Sequence, residues 1–157
     1  MKREETVKGL VIYLVGSLRN ENVPIISNKL RKALGENVEI FNSWYHASPD
    51  ADEFNLKCCK DRGLNYKETL LDWGSQNSFN FDKFHLNRAD IVVGLMKIGR
   101  SGHLELGYAC GIGKKTYMLF PDGEPETCDI MYNFLNDIFF DIDKLIEQLK
   151  SDLENKV

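Results

Sequence analysis

The sequence predicts an α/β fold, a three-layer doubly wound domain of flavodoxin or Rossmann-like type with a largely parallel sheet of four to five strands. Three observations carry that expectation. Short apolar, β-branched runs recur along the chain, as strands buried on both faces require. Segments of helical apolar spacing separate them, and such alternation is the pattern of a parallel sheet covered on both sides. The chain has 157 residues, enough for one continuous core and too few for two ordinary domains. One domain over residues 1–157 is therefore expected.

The elements follow in order. Leu10 to Val15 is a continuous aliphatic run ended by Gly16-Ser17, the first strand. Pro24 to Leu34 places Ile26, Leu30, Ala33 and Leu34 at helical spacing, with Gly35 as its C-terminal stop. Val38 to Phe41 reads as a second strand. Residues 42–81 are less regular. A stretch of that length is too long for a simple loop, so a mostly helical excursion is expected there, forming a lid or a subunit contact. Ser48 or Asp50 would cap a helix running to about Cys59, and Tyr66 to Trp73 would form a short one. Asp82 to Ala89 reads as a helix, Asp90 to Met96 as a buried strand, and Ser101 to Gly111 as a helix with Leu104, Tyr108 and Ala109 inward. Thr116 to Phe120 is a fourth strand, Glu126 to Leu135 a helix, Ile138 to Phe140 a final strand, and Ile142 to Leu153 a terminal helix.

Composition narrows the function classes. With 43% hydrophobic and 28% charged residues the chain is globular rather than disordered or fibrous. A net charge of -4 gives no general pull on nucleic acid, so no polymeric nucleic-acid partner is expected. No segment has the apolar length to cross a bilayer, and the apolar run behind the charged start MKREETVKG is too short for a signal-peptide core, so no membrane partner is expected either. Cys58, Cys59, Cys110 and Cys128 include no CxxC and make an awkward disulfide framework; free thiols in a reducing, cytoplasmic setting are expected. His46, His85 and His103 are scattered, and no metal site is expected.

In open parallel sheets a ligand lies beyond the carboxyl ends of the strands, so the residues there are the candidates. After the first strand, Gly16 allows close backbone approach, and Ser17 and Arg19 offer a hydroxyl and a guanidinium to an oxyanion such as phosphate. The same residues also fit an ordinary strand-to-helix turn with a surface arginine. Neither GxGxxG nor GxxxxGK[ST] is present. After the Met96 strand, Ser101-Gly102-His103-Leu104-Glu105 opens a helix whose amides and dipole favour an anion. Glu105 lies one turn in, where the helix end would help keep it ionised, as a nucleophile must be. A carboxylate so placed suits a reaction with cationic character at carbon, as in glycosyl transfer; the alternative is a solvated helical glutamate. Tyr13 carries a hydroxyl that needs a partner, either Glu105 or water. Asp82 either accepts from a base amine or caps its helix. Asp90 is either structural or at the edge of the site. Trp44, after the second strand, either stacks on a flat ring or belongs to the core, and His103 is within reach of the pocket mouth.

These residues carry a resemblance. Ile12-Tyr13-Leu14-Val15-Gly16-Ser17, the block from Asp82 to Val93, and Ser101 to Ala109 followed by Gly113-Lys114-Lys115 resemble the nucleoside 2-deoxyribosyltransferase-like superfamily, which includes 2'-deoxynucleoside 5'-monophosphate N-glycosidases. The resemblance runs from about residue 10 to 120. It implies that Glu105 attacks the anomeric carbon, that Tyr13 orients it, and that Asp82 sits by the nucleobase. It implies that Gly16-Ser17 touches the sugar or its 5' end. The hydrolase branch resembles Gly16-Ser17-Leu18-Arg19 in its phosphate-binding loop and would use Ser101 as a further phosphate contact. The transferases place one more residue between the serine-glycine pair and the glutamate, so the spacing here leans toward the monophosphate hydrolases. The segment from Trp44 to Phe81 fits neither branch. The implied activity is cleavage or exchange of an N-glycosidic bond on a nucleoside or its 5'-monophosphate, with no cofactor. The alternative is a nucleotide-binding sensor without turnover. A homodimer or higher homo-oligomer with shared sites is implied.

Overall fold

The computed structural model describes residues 9–155. The charged start, on which the expectation of no signal segment rests, lies almost wholly outside them. Five strands form one sheet: β1 (Leu10–Val15), β2 (Val38–Phe41), β3 (Ile91–Leu95), β4 (Lys115–Leu119) and β5 (Asp137–Phe139). Their order is β2-β1-β3-β4-β5 and every neighbouring pair is parallel. The order reverses between β1 and β3, the point at which doubly wound sheets open a crevice at their carboxyl ends.

The period of two along each strand sorts side chains to the two faces. Ile12 and Leu14 of β1 join α1 (Asn22–Leu34) and α6 (Ile142–Glu154) in one buried layer with Leu30, Leu145 and Leu149. Val11, Tyr13 and Val15 point the other way, into a layer with Leu86 and Ala89 at the end of α4 (Trp73–Arg88) and Leu106 and Ala109 of α5 (Arg100–Gly111). Tyr13 is thus committed by strand parity to the face that carries α4 and α5. Helix α1 starts at Asn22, two residues before the expected Pro24; proline is tolerated in a first turn, where its missing N–H is not needed. It stops at Gly35, whose φ of 81° suits a residue without Cβ.

The excursion is helical, and the expected elements need two corrections of extent. Besides these, Leu104 and Tyr108 of α5 are exposed rather than inward, and of the three residues expected there only Ala109 is buried. A 3-10 turn (Ser43–His46) leads to α2 (Ala51–Asp61) and α3 (Tyr66–Leu71). Trp73 does not end the third helix but begins the fourth, which runs unbroken through Asp82 to Arg88, so the separate helix expected from Asp82 is the second half of α4. The break falls at Asp72, in extended conformation, whose carboxylate accepts from Gly74 N–H and pairs with Arg62 at 2.9 Å. The second correction concerns residues 126–135. They form no α-helix; only a 3-10 segment, Ile130–Phe134, follows Asp129, whose side chain accepts from Met131 N–H. Gly123 and Pro125 punctuate the preceding stretch. Among the described residues no helix is long and apolar enough to cross a membrane.

Candidate active site

A cleft of about 1040 Å³ opens at the carboxyl ends of β1 and β3, between the excursion and α5. Its floor is the end of β1. Tyr13 and Gly16 line it with Ser17 and Arg19 of the following turn, and Gly99, Ser101, Gly102 and Glu105 of the α5 start close one side. Asp82 and Phe81 of α4, Trp44, and Asp52 and Glu53 of α2 complete it.

Asn20 holds the switch point together. Its Nδ2 donates to the carbonyls of Leu95 (3.4 Å) and Met96 (3.2 Å), and its Oδ1 accepts from Asn22 N–H at 3.0 Å. One side chain thereby ties the end of β3 to the turn after β1 and to the start of α1. Trp44 is anchored in the same way: its indole Nε1 donates to the carbonyl of Leu14 at 2.8 Å. The glycine at position 16 serves this ring. A Cβ there would come within 2.9 Å of Trp44 Cη2 and 3.0 Å of Val23 Cγ2. Gly102 likewise sits where a Cβ would press on Ile98 and Val15 at 3.0 Å, so α5 enters flush against β1.

Glu105, Tyr13 and Asp82 converge. The Tyr13 phenol hydrogen-bonds the Glu105 carboxylate, and Tyr13 itself is deeply buried. Burial, the Glu105 and Asp82 charges and that bond hold the phenol far above its ordinary range. Burial first, and the Asp82 charge second, push the Glu105 carboxyl up to about 7, against the bond from Tyr13, which favours its charge. Burial and the charge of Asp52 push Asp82 up to about 6. Against the expectation that the helix end keeps Glu105 ionised, burial beside a second carboxylate favours its neutral form. Two neighbouring carboxyls that titrate near neutrality can hold one proton between them, the arrangement that pairs a nucleophile with an acid.

Arg19 lines the cleft as expected but is engaged. Its guanidinium pairs with Glu53 at 2.7 Å and Asp50 at 3.6 Å. Ser17 Oγ accepts from Arg19 N–H at 3.2 Å. Two candidates stand outside the cleft. Asp90 precedes β3, at the opposite end of the sheet, where its carboxylate accepts from Val11 N–H at 2.9 Å. His103 faces away on the exposed side of α5, with Nδ1 on the Gly99 carbonyl (2.8 Å) and Nε2 on the Tyr132 hydroxyl (3.1 Å). Two features of the site were not anticipated: the carboxylates of Asp52 and Glu53 in the wall, and the buried Phe41 packed behind Tyr13. Phe41 ends β2 as Trp44 follows it, so the same strand-end logic would have found it. The α2 acids carry no such signal, because first-turn acids occur on ordinary helices.

All four cysteines are free. Among the described residues no three His, Cys, Asp or Glu side chains gather closely enough to hold a metal ion.

No family model matches the chain, and no curated protein matches it in sequence. Solved structures do match in shape. A 2-deoxyribosyltransferase from the psychrotolerant bacterium Bacillus psychrosaccharolyticus aligns with a TM-score of 0.55 at 23% identity, over 87% of this chain and 90% of that one. A CMP N-glycosidase from Clostridium botulinum aligns with a TM-score of 0.52 at 13% identity, over 89% of this chain and 98% of that one. The fold implied by the resemblance is thus the fold this chain has, shared with a 2-deoxyribosyltransferase and a CMP N-glycosidase over nearly the whole length of each.

Proposed function

We propose that the chain cleaves or exchanges the N-glycosidic bond of a nucleoside, ribo- or deoxy-, or of its 5'-monophosphate, with Glu105 as nucleophile. The observation that carries the reading is the meeting of Glu105, Tyr13 and Asp82 in one cleft at the switch point of the sheet. The shared fold supports it.

A Glu105 carboxylate oxygen attacks C1' as the C1'–N bond breaks. The transition state has oxocarbenium character, which an adjacent carboxylate offsets. The Tyr13 hydroxyl holds the Glu105 rotamer and favours its charge. Asp82, protonated, passes its proton to the departing base nitrogen, so the base leaves neutral. The productive form carries one proton, on Asp82, and a charge on Glu105; with Glu105 at about 7 and Asp82 at about 6 it is the less populated of the two singly protonated forms. The glycosyl ester then meets water, giving hydrolysis, or a second base, giving transfer. Trp44, Ser17, Ser101 and Gly102 border the space for the base and sugar.

An apolar surface accompanies the site. Tyr66, Leu70, Leu71 and Trp73 at the α3–α4 junction and Phe79 and Phe84 along α4 are all exposed. Such a patch supports self-association through the excursion, as a homodimer or larger.

The test is a chromatographic assay of free base. Each nucleoside and each 5'-monophosphate, in ribo and deoxy forms, is incubated with protein, with and without a second base. Release without an acceptor marks a hydrolase, and a new nucleoside only with acceptor marks a transferase. Ligand-linked thermal stabilisation with no product in any tube would overturn the reading in favour of a nucleotide sensor.

A further inference from the structure

We propose that the cleft is built for nucleosides whose base carries a positive charge and whose 5' end carries no phosphate. The proposal rests on the N-glycosidic reading and assigns its substrate class. Its ground is the charge of the wall of a cavity that is already there. The cleft is lined by four carboxylates, Asp52, Glu53, Asp82 and Glu105, and by one cation, Arg19. That cation is spoken for: Glu53 holds it at 2.7 Å and Asp50, just outside the cleft, stands at 3.6 Å. A 5'-phosphate would have to break the Arg19–Glu53 pair and then sit among the remaining acids. A cation meets an attractive field focused by low-dielectric walls.

The acids surround the cavity rather than gather at a point, and no three of them approach a metal-binding grouping. An organic cation spread over a ring fits that distribution better than an ion. The wall also offers ring faces. Trp44 is fixed by its bond to Leu14, and Phe81 and Phe84 line the same space while remaining exposed. Aromatic faces beside carboxylates are the chemistry that recognises a flat cation. Pyridinium nucleosides and purine nucleosides alkylated on a ring nitrogen have that character.

The charge also settles the leaving group. Glu105 attacks C1', the electron pair of the C1'–N bond passes to the ring nitrogen, and the cationic base departs neutral without a proton from Asp82. Water then attacks C1' of the ester, restores the Glu105 carboxylate and releases one proton. A cation held between Glu105 and Asp82 opposes both the burial and the Asp82 charge that favour the neutral form of Glu105, so the nucleophile ionises as substrate binds.

The experiment compares 7-methylguanosine and its 2'-deoxy form with their unmethylated counterparts, and each with its 5'-monophosphate. Wild type is run beside the double variant Asp52→Asn, Glu53→Gln. Both positions are exposed on α2, and circular dichroism checks the fold. The intrinsic lability of a cationic base cancels between the two proteins. The methylated-to-unmethylated ratio of kcat/KM is expected to be about tenfold higher in wild type than in the variant. Wild type is expected to prefer each nucleoside to its monophosphate by at least about tenfold, with a smaller gap in the variant. Equal ratios in the two proteins, or a preference for monophosphates, would overturn the proposal. If no compound releases base, calorimetry on the same pairs decides. Tighter binding of the methylated compounds upholds the charge preference and retires the N-glycosidic reading, whereas equal or absent binding overturns both.

Discussion

Tyr13 and Phe41 are register partners on neighbouring parallel strands, and their rings stack at 5.2 Å with planes 25° apart. His85 also stacks on Phe41, at 3.9 Å and 12°, and Arg88 Nε steadies it by donating to His85 Nδ1 at 2.8 Å. The phenol that meets Glu105 is therefore set by a column of rings reaching into β2 and α4. Phe41→Leu removes the stack, whose worth beyond burial is ~1 kcal/mol. The expected outcome is a loss of about 1–2 kcal/mol in unfolding free energy and a several-fold fall in kcat with KM nearly unchanged. A fall in stability with kcat intact would make Phe41 a core residue and nothing more.

Glu105→Gln keeps the shape and removes the proposed nucleophile. Turnover is expected to fall by at least ~3 orders of magnitude. The same change should stabilise the fold at alkaline pH. A carboxyl whose folded pKa lies above its unfolded value retains protons that the unfolded chain gives up, so stability is lost as pH rises from the ordinary glutamate range through about 7. The Gln variant escapes that loss, which is on the order of 3 kcal/mol. Urea titrations at pH 5 and pH 8 measure it: the variant's advantage should appear only at the higher pH.

The paired carboxyls give a pH signature. With a neutral base, the active form needs Glu105 ionised and Asp82 protonated, so kcat/KM should be bell-shaped with limbs near pH 6 and 7. The groups facing Glu105 are Tyr13 from β1 and Asp82 from α4, and Asp52 of α2 acts on Asp82. Asp82→Asn removes a charge that raises Glu105, so the acidic limb should move to lower pH and the alkaline limb should vanish. A profile unchanged by that substitution would deny Asp82 its role as acid.

Gly16→Ala tests the close approach of the first turn. The added methyl would stand 2.9 Å from the anchored Trp44 ring, which is too large to step aside without giving up its bond to Leu14. Overpacking of this kind costs about 1–3 kcal/mol. The Trp44 emission should shift as the ring moves, and kcat/KM should fall by about tenfold, by analogy with other small displacements of positioning groups. Wild-type fluorescence and rate in the variant would show that the ring has room.

The strands were legible because each announces itself locally: a run of β-branched residues between turn residues can scarcely be anything else in a doubly wound chain. Glu105 and Tyr13 were legible because a strand end is also a place in the fold. Asp82 was named together with the second half of its helix but not the first, since the polar start of α4 shows no apolar period to join Trp73 to Asp82. Asp90 and His103 belong to the right segments and the wrong surfaces. Asp90 stands at the amino end of its strand, and a one-position change around α5 separates the exposed His103 from Gly102 against the sheet.

By itself, the sequence determined the alternation of strand and helix, the parallel sheet, and the two strand ends from which Glu105 and Tyr13 emerge. These are properties of nearest neighbours and of period, which a local pattern encodes in full. Only the tertiary structure decided that Glu53 occupies Arg19, that Phe41 backs Tyr13, and that Glu105 and Asp82 titrate near neutrality rather than as ordinary acids. Each of those depends on residues brought from distant parts of the chain and on how much water their packing leaves, and a charge or a dielectric boundary acts through space rather than along the chain.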